Sequence, residues 1–160
     1  MRVVLLAEGG GELRGGSPNL PLPGTLLKQE HWGAGHVLAR RCVSRVGGMP
    51  DEAVSLIAPL ALVRRMRGSS VHDVQNVRRA MVSPDPANAP SLFVLLVDEN
   101  GEKGRYRRLV EGTQGLLTPR VIGVARREFE AWLIADHGAA ATALGSPLSD
   151  DWRPGEAAVG

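Results

Sequence analysis

Apolar residues in this chain fall into two kinds of run, and their alternation predicts the fold. VVLL (Val3 to Leu6), VSLIAPL (Val54 to Leu60), SLFVLLV (Ser91 to Val97) and RVIGVA (Arg120 to Ala125) are short and dense in Val, Ile, Leu and Phe. The first, third and fourth lack polar alternation, as strands covered on both faces of a parallel sheet do. Between them apolar residues recur at helical spacing. Val37, Leu38, Arg41, Cys42 and Val46 form one predicted stripe, stopped by Gly47 and Gly48. Ser70 to Asp73 opens a second helix with Val74, Val77 and Met81 on one side, and Pro84, Pro86 and Pro90 then break the chain. A third helix is predicted from Lys103 to Glu111. A fourth runs from Arg127 to about Ala135, with Phe129, Trp132 and Leu133 as its apolar stripe.

Strand and helix thus alternate four times. That order predicts an α/β domain: a compact, Rossmann-like, mostly parallel four-stranded sheet with helices on both faces. One domain over residues 1–145 accounts for the pattern. The tail over 146–160, SPLSDDWRPGEAAVG, has no periodicity and reads as irregular. At 160 residues the chain has room for one sizeable core and not for two.

Composition changes this picture little. Hydrophobic residues make up 43% and charged residues 22%, which argues against wholesale disorder. The formal charge of +2 points to no particular partner. Arginines do cluster, at Arg64, Arg65 and Arg67, at Arg105, Arg107 and Arg108, and at Arg126 and Arg127. Such clusters suit a phosphate backbone, or equally a solvated helix face. Cys42 is the single cysteine, so an intrachain disulfide and a cysteine zinc site are both excluded. It is expected as a small apolar residue on its helix. Met1 and Arg2 lead straight into a strand-like run, so no signal sequence is expected, nor any membrane span. The expected location is cytoplasmic.

Candidate chemistry begins at the end of the first strand, where VVLLAEGGGE runs from Val3 to Glu12. Glycines after a first strand suggest a phosphate cradle, but the residues refuse it. A P-loop would need Gly-Lys-Ser/Thr, and a dinucleotide fingerprint would need glycine where Arg14 stands. Glu8 reads better as a strand-end carboxylate. Asp98 takes the equivalent place after the third strand, beside Glu99, Asn100 and Glu102, and Glu128 and Glu130 follow the fourth. Any one of these acids also reads as a helix cap or loop residue. Three strand ends delivering acid to one edge of a parallel sheet would repel strongly in a cleft, and Mg²⁺ or Mn²⁺ is the usual neutraliser. Glycines at 9 to 11 would let backbone and ligand approach Glu8 closely.

EGGGE at Glu8 to Glu12, Asp98 after an apolar third strand, and REFEAWLIAD at Arg127 to Asp136 together resemble the TOPRIM-like domains. The subgroup they look most like is the bacterial proteins similar to the overcoming-lysogenization-defect nucleases. The likeness spans Val3 to about Asp136, and EFEAWLIAD is its more specific string. It implies a TOPRIM-like fold, a divalent-metal site at the strand ends and cleavage of phosphodiester bonds in nucleic acid, with DNA favoured over RNA. It further implies a role in defence against phage beside a partner ATPase, and pairing into a homodimer.

On this likeness Glu8 matches a glutamate that serves as metal ligand or general acid/base, and Glu12 the second acid of that motif. Asp98 matches the first aspartate of a DxD motif whose second position is here Asn100, which brings an oxygen but no charge. Glu128 or Glu130 would supply the missing charge, Glu130 ahead of Glu128. The expected catalytic set is Glu8, Glu12, Asp98 and Glu130, and the expected metal set is Glu8, Asp98, Asn100, Glu128 and Glu130. Metal would polarise the phosphate and acidify a water, with Glu8 or Glu12 taking its proton. Lys103, Arg105 and Arg127 are expected to offset phosphate charge. The alternative is a catalytically silent TOPRIM-like binding or assembly subunit, which Asn100 favours.

Other candidates are thinner. His31 and His36 lack a third well-spaced zinc ligand. His72 and His137 belong to helix ends. Trp32, Trp132 and Trp152 offer stacking faces, yet aromatics at 4% do not make a single-strand platform, and Trp132 belongs to an apolar stripe.

Overall fold

The computed structural model describes residues 1–8, 13, 21–59, 70–82, 89–99 and 102–125, with backbone alone at 70–72. Four strands form a single parallel sheet: β1 (Arg2–Ala7), β2 (Ser55–Ile57), β3 (Leu92–Asp98) and β4 (Arg120–Ala125), ordered β2-β1-β3-β4. All four coincide with the apolar runs, although the second is shorter than its run. Among the described residues three helices of more than one turn accompany them: α1 (Ala34–Gly47), α2 (Ser70–Ala80) and α3 (Arg105–Gly112). The helix expected over Arg127 to Ala135 and the tail over 146–160 lie outside the described residues.

The strand order explains why helices cover both faces. From β1 the chain steps outward to β2, then returns past β1 to reach β3 on its other side. Right-handed crossovers on opposite sides of one strand must run over opposite faces. Accordingly Ala39 of α1 packs with Val3, Leu5, Leu56 and Val94 on one face. Val77, Ala80 and Met81 from the α2 region and Leu109 of α3 pack with Val4, Leu6, Phe93, Leu95 and Val97 on the other. Both faces of β1 and β3 are apolar because both are buried, as strands without alternation require.

The first helix turns a different face to the sheet than its apolar stripe predicts. Val46 is 89% exposed, and Val37 and Cys42 are also exposed, whereas Gly35, His36, Ala39 and Ser44 are buried. Ala39 and, four residues on, the partly buried Val43 pack on the sheet, so a small residue shares the contact expected of the Val37, Cys42 and Val46 stripe. The predicted stop holds: Gly48 closes α1 at φ 61°, a left-handed conformation that suits glycine. Along the outer edge of β2 the chain at Gly24 to Leu27 runs antiparallel, with Gly24 N–H bonded to Ala58 O and Leu27 N–H to Leu56 O. That strap covers an edge that would otherwise offer open backbone groups.

Candidate functional site

In an open parallel sheet the ligand crevice opens beyond the carboxyl ends of the strands, where strand order reverses. Here that place lies between β1 and β3. Their register pairs Ala7 with Leu96, so Glu8 comes level with Val97, one residue short of Asp98. Two of the expected acids therefore end adjacent strands at the switch point.

The structure adds what the strand ends alone do not reveal. Arg105, the first residue of α3, is 1% exposed and lies among these acids. Its Nη1 donates to Glu8 Oε2 at 3.0 Å and to the Asp98 backbone carbonyl, and its Nη2 donates to Glu8 Oε1. Toward α2, Nε donates to Asp73 Oδ2 at 3.0 Å and Nη2 to Asp73 Oδ1 at 2.9 Å. A guanidinium has five N–H groups, and these contacts occupy all of them. Both carboxylates are held in forked, charge-assisted pairs, the strongest geometry available to such groups. Burial by itself would lower the Arg105 pKa. The hydrogen bonds and charges of Glu8 and Asp73 outweigh it and hold the group above its ordinary value, so it stays a cation.

This arrangement corrects one expectation. Arg105 has no donor left for a phosphate and almost no surface through which to meet one. Its charge is committed to Glu8 and Asp73. Lys103, by contrast, is exposed, and Arg127 lies outside the described residues.

Side-chain alternation adds a second result. Glu8 continues the face of Val4 and Leu6, toward α2 and α3, while Asp98 continues the face of Val94 and Leu96, toward α1. The two acids share an edge, and Arg105 bridges the Glu8 carboxylate to the Asp98 backbone rather than to its side chain. Among the described residues no group of three or more His, Cys, Asp or Glu side chains is placed to hold a metal ion. Carboxylate oxygens are the right donors for a hard cation, but the described residues alone do not complete such a set. Glu12, Asn100, Glu128 and Glu130 lie outside the described residues. Glu102 pairs with Arg108 at 2.9 Å, in keeping with an ordinary helix-start role. Trp32 is half-buried, with Arg40 over its ring at 4.8 Å and its Nε1 donating to Leu27 O, so its ring face is taken.

The strand-end pattern does not mark Asp73, and it assigns Arg105 to phosphate rather than to a buried carboxylate. A signal for both existed. Asp73 shares a helix face with Val77 and Ala80, and Arg105 shares one with Leu109 and Thr113, all of them buried. A charged residue in phase with a buried stripe needs a buried partner of opposite sign.

Family models, curated proteins and solved structures were each compared with the chain, and none matches it.

Proposed function

We propose that this chain is a cytoplasmic, divalent-metal-dependent phosphodiesterase acting on nucleic acid, DNA in preference to RNA. In this reading it is the nuclease-like component of a bacterial anti-phage system, works beside an ATPase and pairs as a homodimer. The observation that carries the proposal is the placing of Glu8 and Asp98 at the carboxyl ends of adjacent parallel strands, at the switch point where such sheets bind ligands. Nucleic acid as substrate, the defence role and the partner are supported by the TOPRIM-like strings EGGGE and EFEAWLIAD. Glu8 and Asp98, with Asn100, Glu128 or Glu130, would hold Mg²⁺ or Mn²⁺, which would supply polarisation of the scissile phosphate. No helix among the described residues is long and apolar enough to cross a membrane.

Supercoiled plasmid nicking tests the proposal. With Mg²⁺ or Mn²⁺ the protein should nick, EDTA should stop it, and Glu8→Gln or Asp98→Asn should lower the rate by about 100-fold or more, the size of effect that loss of a charge-stabilising group has in other enzymes. Nicking that survives both substitutions would overturn the assignment.

A second reading has its own observation. Glu8 is already held by a buried guanidinium, which suits a TOPRIM-like subunit that binds or assembles without turnover. Tight DNA binding without cleavage under every metal would select it.

A further inference from the structure

The crevice at the switch point has two sides. On the side of α2 and α3, Arg105 commits its donors to Glu8, Asp73 and the Asp98 carbonyl. On the side of α1 the donors are uncommitted. The far end of α1 is tied to the amino edge of the sheet, where Arg40 donates to Asp51 O at 2.8 Å and Ser44 Oγ to Met49 O, just ahead of β2. Its first turn therefore lies toward the carboxyl edge, on the face that Leu96 and Asp98 share. Gly33, the residue before that turn, has no side chain to cap it, and the N–H groups of Ala34 and Gly35 meet no acceptor among the described residues. His36 is 2% exposed and holds its ring on the same turn, with Nδ1 accepting the Gly33 N–H. That bond leaves the proton of the neutral ring on Nε2, a buried donor without a partner. His31 Nδ1 is the other buried side-chain nitrogen or oxygen without a partner among the described residues. Both atoms thus fall in one stretch, HWGAGH, at the entrance to α1. Buried polar atoms are rarely left unpaired, because burial strips them of water.

We propose that the entrance to α1 is a binding site for a phosphate group, held by His36 Nε2–H and the N–H groups of Ala34 and Gly35. All three donors belong to one helix end, whose partial positive charge favours an anion. A carboxylate offers two oxygens and a terminal phosphate three, so three donors select phosphate. Gly33 and Gly35 are buried there and keep Cβ atoms out of the anion's way. His31 Nδ1, an imidazole nitrogen that can donate or accept, adds a fourth polar atom to the stretch. Asp98 stands on the same face and opposes an anion, and the helix end with its donors outweighs that single charge. Such a site needs neither metal nor turnover, so it stands or falls apart from the metal-dependent reading above.

Isothermal titration calorimetry with inorganic phosphate in EDTA tests the site, with circular dichroism melts to show that each variant is folded. Wild type should bind. His36→Phe keeps a ring but lacks the donor, and should weaken binding about tenfold, the effect of one hydrogen bond to a charged group. Because that change also removes the partner of the Gly33 N–H, a second variant carries the test. Ala34→Pro deletes one N–H from an exposed residue at the first helical position, where proline is favoured. It should melt no lower than wild type and bind phosphate about tenfold more weakly. A terminally phosphorylated oligonucleotide that binds more tightly than its hydroxyl-ended counterpart would identify a nucleic-acid end as the source of the phosphate. Equal binding of the two, with inorganic phosphate still bound, would identify a small free phosphate compound. No phosphate binding by wild type, or full affinity in folded Ala34→Pro, overturns the proposal.

Discussion

At the third position of α1, His36 is 2% exposed, and its Nδ1 accepts the N–H of Gly33 at 3.2 Å. The neutral ring must then carry its proton on Nε2, which is buried without a hydrogen-bond partner among the described residues. Desolvation lowers the His36 pKa from 6.5 to about 4. The unfolded chain binds a proton near pH 6.5 and the folded chain only near pH 4. Full stability therefore holds above pH 6.5 and is lost progressively as pH falls toward 4, by at most about 3 kcal/mol. His36→Asn keeps an acceptor for the Gly33 N–H but cannot titrate. Chemical denaturation of wild type and His36→Asn between pH 4 and 7 should show the variant losing less stability over that interval. Equal pH profiles would mean that His36 does not set the acid limit.

Among elements, α2 and α3 approach most closely where Gly112 meets Val74. A Cβ built on Gly112 would overlap both Val74 methyl groups, and Val74 is β-branched and has few rotamers to retreat into. Arg78 of α2 holds the same end of α3, donating to Gly112 O at 2.6 Å and to Gln114 O at 3.3 Å. This contact matters to the site because α2 carries Asp73 and α3 carries Arg105. Gly112→Ala should cost about 1–3 kcal/mol by overpacking. Val74→Ala in the same chain should return most of that loss in urea denaturation, a non-additivity expected only of touching residues. Additive effects would show that the two do not meet.

For the molecule as a whole, the pairing of buried Arg105 with Glu8 and Asp73 predicts a fold that does not depend on metal. Glu8 and Asp73 are paired with Arg105 without any ion, so EDTA should leave the melting temperature within about 1 °C of its value in buffer. Mg²⁺ at concentrations above its dissociation constant should raise it, as any ligand of the folded state does. A fall of several degrees in EDTA would show instead that a metal is part of the fold.

The four strands and the α/β class were legible in the sequence, because a strand buried on both faces must be apolar at every position whatever its neighbours are. The stop of α1 at Gly48 and the buried side of α2 were legible for similarly local reasons. The buried face of α1 was not: Ala39 carries the contact with Val43, and a small residue leaves a faint mark in an apolar pattern. Nor did the sequence reveal which charges meet. Arg105 stands 97 residues from Glu8 and 32 from Asp73, and neighbours at such distances are chosen by strand order, register and helix rotation together. By itself the sequence determined that acid would stand at the ends of strands. Only the tertiary structure decided that an arginine would answer the first of those acids, since that choice depends on α3 packing beside α2 over the junction of β1 and β3.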